Sequence, residues 1–100
     1  MKLEGRKILV TGASSGIGLA LARALAGRGA VLCLAARRGR RLEGIAEEIR
    51  RDHPGVEAPV PFPCDVTDGE EVRRMVAACR ERFGRLDALV NTAGISVYGS

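Results

Sequence analysis

The eight residues Thr11-Gly12-Ala13-Ser14-Ser15-Gly16-Ile17-Gly18 constrain this chain more than any other stretch. They follow directly on the apolar run Ile8-Leu9-Val10, which reads as a short buried strand over residues 6–11. They lead into Ile17, Leu21, Ala24 and Leu25, spaced as one face of a helix. A strand that breaks into a helix within so few residues needs backbone freedom at Gly12. It also needs a bare main chain at Gly16 and close helix–strand contact at Gly18. The unpaired amides at such a helix start, together with the positive end of its dipole, attract phosphate. Ser14 and Ser15 add hydroxyl donors. A P-loop is excluded, because the only lysines are Lys2 and Lys7 and none stands at the required offset.

The same alternation continues along the chain. Gly27 and Gly29 stop the first helix, and Ala30 to Ala36 is a second strand. A basic turn then precedes Leu42, Ile45, Ala46 and Ile49, a second helical stripe that ends before Pro54-Gly55. Val56 to Cys64 is a third strand, but Pro59, Pro61 and Pro63 lack the ladder donor and confine it to an edge. Thr67 and Glu70 read as a capping box for a third helix carrying Val72, Met75, Val76, Cys79 and Phe83, closed by Gly84. Leu86 to Asn91 is a fourth strand, apolar on both faces, and residues 92–100 read as loop. The order βαβαβαβ implies an α/β fold with a parallel sheet, because parallel neighbours need a crossover and the helices supply it. Right-handed crossovers with strand order 3-2-1-4 put the first two helices on one face and the third on the other. They open a crevice at the carboxyl ends of strands 1 and 4.

Composition narrows the partners. One hundred residues, 46% hydrophobic and 28% charged, suit one domain spanning residues 1–100. No apolar run approaches the ~20 residues of a membrane span, and Met1 to Gly5 lack a secretion profile, so a cytoplasmic location is expected. Residues 1–50 carry ten Lys/Arg against four Asp/Glu, an excess that favours an anionic small molecule. Only three aromatics are available to stack on bases, which argues against nucleic acid. Cys33, Cys64 and Cys79 have no metal-ligand spacing and read as reduced, buried thiols. His53, beside Asp52 and Pro54, reads as solvent-facing.

Residues 11–18 resemble the T-G-x-x-x-G-x-G motif of the short-chain dehydrogenase/reductase family. Cys64-Asp65-Val66-Thr67-Asp68 is similar to the family's segment after strand 3, and Asn91-Thr92-Ala93-Gly94 to its N-N-A-G at the end of strand 4. Thr92 departs from the second asparagine of that pattern. The resemblance covers essentially the whole chain but only the amino-terminal half or less of a typical member. It implies an incomplete, Rossmann-type doubly wound fold and a nicotinamide dinucleotide as cofactor. It places Gly12, Ser14, Ser15, Gly16, Ile17 and Gly18 on that cofactor, Asp65 and the amide of Val66 at the adenine, and Asn91, Ala93 and Gly94 beside the ribose.

Where an NAD enzyme offers a carboxylate at the end of strand 2, this chain has Ala35-Ala36-Arg37-Arg38, with no acid before Glu43. A guanidinium binds a 2′-phosphate that a carboxylate repels, so Arg37 and Arg38 point to NADP rather than NAD. The resemblance implies hydride transfer between a carbonyl and an alcohol of a small-molecule substrate, with a Ser and a Tyr-x-x-x-Lys as the catalytic groups. These 100 residues lack that set: Tyr98 is the one tyrosine and no lysine follows Lys7. No catalytic residue is therefore assigned, and the stretch is expected to be inactive alone. Two other readings stay open, a stand-alone NADP-binding sensor or subunit module and an inactive fragment. The outer edge of strand 4 is expected to lack a partner and to promote self-association or a homo-oligomer.

Overall fold

A strand apolar at consecutive positions must be covered on both faces, and Ile8-Leu9-Val10 is such a strand. The computed structural model describes residues 2–14, 16–37, 39–65, 67–92 and the backbone of 96–99. The run lies in β1 (Lys7–Thr11), followed by α1 (Gly16–Gly27), β2 (Val31–Ala36), α2 (Gly39–Asp52) and β3 (Val60–Pro63). Then come α3 (Gly69–Phe83), β4 (Ala88–Asn91) and β5 (Ser96–Gly99). The sheet order is β3-β2-β1-β4-β5, with the first four strands parallel and β5 antiparallel to β4.

The two-fold alternation of the strands sorts the core into two layers. Ile8, Val10, Leu32 and Leu34 face α1 and α2, meeting Ala22, Ala26, Leu42, Ile45, Ala46 and Ile49. Leu9, Cys33 and Ala35 face the other way, onto Met75 and Cys79 of α3. This is the expected arrangement of two helices against one. The three cysteines are free and buried, as expected. Burial and a hydrogen bond with Cys79 push the Cys33 thiol well above its ordinary range, which suits a core thiol and not a nucleophile. Among the described residues β3 pairs only with β2 and sits at the sheet edge, where Pro61 and Pro63 cost no ladder bond to an outer neighbour.

Three expectations need correction. On α1 the buried face is Gly18, Ala22 and Ala26, with Leu19, Leu21 and Leu25 flanking it, while Ile17 is 61% exposed. Small residues win that face because α1 approaches the sheet too closely for large ones. The helix ends in a Schellman arrangement: Ala30 N–H donates to the Leu25 carbonyl and Gly29, at φ 86°, donates to that of Ala26. At α3 the cap is Asp68, whose Oδ1 accepts from the amides of Glu70 and Glu71 at 2.9 and 3.4 Å. Thr67, the expected cap, gives its hydroxyl instead to the carboxylate of Asp65, and Glu70 turns toward Arg73.

The third correction concerns residues 92–100, which contribute β5 where a loop is expected. Asn91 pairs with Ser96 and Ala88 with Gly99. An antiparallel partner can be reached by a short return, whereas a parallel one needs a crossover of a dozen residues or more. Val97 and Tyr98 are strand formers, the signal that reading the stretch as loop passes over. β4 therefore does not present the open edge expected of it.

At the opposite end of the strands, Asp87 ties β1 to β4. Its Oδ2 accepts the Lys7 amide at 2.7 Å, its own N–H donates to the Lys7 carbonyl, and Arg85 pairs with both carboxylate oxygens at 3.1 Å. The Lys7 amide and then Arg85 hold this carboxyl below its ordinary value of 3.8. A carboxyl depressed on folding contributes stability above its unfolded pKa and loses it as the pH falls through the folded value. The unfolding free energy should therefore decline as acid takes the pH below about 4. Asp87→Asn should flatten part of that decline in urea titrations at stepped pH, and an unchanged slope would contradict the assignment.

Candidate functional site

Parallel pairing in register brings the carboxyl ends of four strands to one edge. Thr11 lies opposite Ala35 on one side and Asn91 on the other, and Ala36 opposite Pro63. The glycine turn, Arg37, Asp65 and the Asn91-Thr92 pair, far apart in sequence, all emerge along this edge. Open α/β sheets bind ligands there.

The turn is built by close backbone contact. Gly12 sits at φ 64°, and the Ala13 amide donates to the Ala35 carbonyl at 3.1 Å. The chain then folds back so that a Cβ on Gly18 would overlap the carbonyl of Gly12. Gly16 opens α1 at φ 56°, exposed, and among the described residues no atom beyond its chain neighbours and its own helix backbone lies within 4 Å of where its Cβ would stand. Here the absent side chain leaves room for a ligand, whereas at Gly18 it leaves room for the protein. No acidic residue occupies the first turn of α1, so nothing there opposes an anion. Ser14 is half-buried beside the turn.

Beyond the ends of β2 and β3, Arg37 Nη2 lies 3.4 Å from Asp65 Oδ1. The same oxygen accepts from the Thr67 hydroxyl at 2.6 Å and the Thr67 amide at 2.9 Å. Those two bonds, with Arg37 adding to them, hold the Asp65 carboxyl below its usual range. It stays ionised and can accept from a ligand amino group. Arg37 is largely exposed and contributes one edge of its guanidinium to the pair, so the ion pair itself adds little stability.

At the β4 end the Thr11 hydroxyl donates to Asn91 Oδ1 at 3.2 Å and to the Val90 carbonyl at 3.4 Å, and the Thr92 hydroxyl donates to the Thr11 carbonyl at 2.7 Å. The structure thus brings Gly12, Ser14, Gly16, Gly18, Arg37, Asp65 and Asn91 to one edge. Ile17 stands there as well, facing solvent and not the core. Ser15, Arg38, Val66, Ala93 and Gly94, also expected at the site, lie outside the described residues. Sequence reasoning missed the Arg37–Asp65 pair and the contact of Thr92, whose departure from the family pattern was the available signal.

A depression of about 670 Å³ lies at the other end of the sheet, lined by Ala26, Gly29, His53 and Val56 among others. His53 is half-buried and meets solvent along it. None of the described residues expected to hold a cofactor lines it, and it faces the amino ends of the strands, the end such folds do not use.

The contact at Gly18 has a measurable consequence. Gly18→Ala should lower stability by about 1–3 kcal/mol through overpacking against the Gly12 carbonyl. Gly44→Ala, on the open face of α2 with no atom within 4 Å, should raise it by about 0.5–1 kcal/mol. Urea denaturation of both variants checks this, and a Gly18→Ala protein as stable as the parent would contradict the packing.

Comparison with known proteins agrees with the geometry. The family model described as short chain dehydrogenase matches residues 6–100. The chain is 50% identical over 93 residues to 11-beta-hydroxysteroid dehydrogenase A of Sesamum indicum, covering 93% of this chain and 26% of that protein. Among solved structures, L-sorbose reductase from Gluconobacter frateurii, complexed with NADPH and L-sorbose, superposes with a TM-score of 0.84 at 38% identity, over 94% of this chain and 36% of that one. The alcohol dehydrogenase of Thermococcus sibiricus, complexed with 5-hydroxy-NADP, gives 0.80 at 44% identity, over 87% and 36%. The chain therefore spans 26% to 36% of the length of these relatives. It belongs to the short-chain dehydrogenase/reductase family and corresponds to the amino-terminal portion of its members.

Proposed function

We propose that this chain binds NADP(H) and that the whole protein is an oxidoreductase interconverting a carbonyl and an alcohol on a small-molecule substrate. The observation that carries the cofactor choice is Arg37, directly after the last residue of β2, with no acidic residue before Glu43. Two of the structural relatives hold NADPH and 5-hydroxy-NADP, which supports the same choice.

The residues present fit the group. The space at Gly16 and the amides opening α1 suit a diphosphate, Arg37 suits a 2′-phosphate, and the ionised Asp65 suits the adenine amino group. Ser14 and Ser15 would add hydroxyl donors to the phosphates, and Arg38 a second cation. The amide of Val66 would meet the adenine, and Asn91, Ala93 and Gly94 would border the ribose. When bound, the dinucleotide supplies or accepts the hydride. This stretch grips and orients it; the proton is handled by the Ser and Tyr-x-x-x-Lys expected of the family, which these 100 residues do not contain. The stretch is proposed to be inactive alone for that reason.

Titration with both cofactors tests the reading. NADPH should bind more tightly than NADH. Arg37→Ala should weaken NADPH by roughly 10- to 150-fold, the range of a lost charge-assisted hydrogen bond of about 1.5–3 kcal/mol, and leave NADH nearly unchanged. Equal affinities in the parent protein would remove the NADP assignment.

A further inference from the structure

We infer that Thr92 is a positioning residue that sets the grip of the glycine turn on the cofactor's diphosphate, an inference that rests on the cofactor reading above. β4 ends at Asn91, in register with Thr11, so residue 92 emerges beside the point where β1 breaks into the turn. There its hydroxyl donates to the Thr11 carbonyl at 2.7 Å. The same oxygen occupies the space that a Cβ would take at Gly12, and lies 3.1 Å from where one would stand on Gly18. One part-buried hydroxyl therefore meets the strand end and both of the glycines that close the turn.

The Thr11 carbonyl belongs to the peptide that enters Gly12, whose φ of 64° begins the fold-back. The bond from Thr92 opposes rotation of that peptide and so favours the direction in which the amides that follow are presented. The Thr11 hydroxyl, bonded to Asn91 Oδ1 and to the Val90 carbonyl, joins the same two strand ends but leaves the peptide itself free. The anchor acts through the Thr11–Gly12 peptide and needs no contact with ligand. Its effect falls on ligands that carry a diphosphate. It spares ligands that lack one, such as adenosine 2′-monophosphate.

Calorimetric titration of the full protein with NADPH and with adenosine 2′-monophosphate distinguishes the outcomes. Thr92→Val and Thr92→Ala should each weaken NADPH about three- to tenfold, the range of one hydrogen bond. Both should leave adenosine 2′-monophosphate unchanged, and Thr92→Ser, which keeps the donor, should restore NADPH affinity. Parent-like NADPH binding by both hydroxyl-free variants would overturn the inference. So would equal losses for the two ligands, or failure of serine to restore binding. If the parent protein itself binds no NADPH, the cofactor reading falls and takes this inference with it. A parent that binds NADPH beside indifferent variants removes the inference alone.

Discussion

The contact between the Cα of Gly18 and the carbonyl of Gly12 is the constraint on which the rest of the structure depends. It leaves no space for a methyl group, so α1 can lie against the end of β1 only if its third residue has no side chain. Close approach in turn selects the small buried face of the helix, Gly18, Ala22 and Ala26, and turns Ile17 out to solvent. It also brings the start of α1, with Gly16 exposed and no acidic residue in its first turn, to the carboxyl edge of the sheet. One steric fact thus fixes both the packing of α1 and the place where its first turn emerges.

The sheet supplies the second half of the site. Parallel strands in register end level with one another, and four ends place a turn, a cation, a carboxylate and a pair of polar side chains along one line. The core beneath is layered by strand alternation, with aliphatic side chains toward α1 and α2 and the thiols of Cys33 and Cys79 toward α3. The polar ties lie at the two ends of the strands. Asp87 closes the amino end of the β1–β4 pair, and Thr11, Asn91 and Thr92 close the carboxyl end where the ligand is expected.

Much of this was legible in the residues, because burial patterns and glycine spacing are local signals. Ile8 to Val10, Val31 to Ala36, and the stripe Leu42, Ile45, Ala46 and Ile49 declare their elements, and the prolines of β3 declare its edge position. What was not legible depends on contacts between distant segments or on competition between neighbours. Ile17 fits a helical stripe by spacing, yet the distance of α1 from the sheet, a tertiary quantity, decides which stripe is buried. Thr67 has the right residue type for a cap, but Asp65 two positions earlier is the stronger acceptor for its hydroxyl and leaves the cap to Asp68. At the site, the glycine motif identifies the turn, while the reach of Arg37 to Asp65 and of Thr92 to Thr11 spans 28 and 81 positions. No window of sequence contains either pair.

The claim at the centre of this account is that main-chain amides of the turn between β1 and α1 hold a diphosphate. Amide chemical shifts of the nitrogen-15-labelled protein, followed during titration with ADP-ribose, test it most directly, since that ligand carries the diphosphate without the nicotinamide or the 2′-phosphate. The largest saturable shifts should fall on the amides of residues 12–18. Shifts confined to the depression around His53 at the opposite end of the sheet, or none in the turn at saturation, would contradict it.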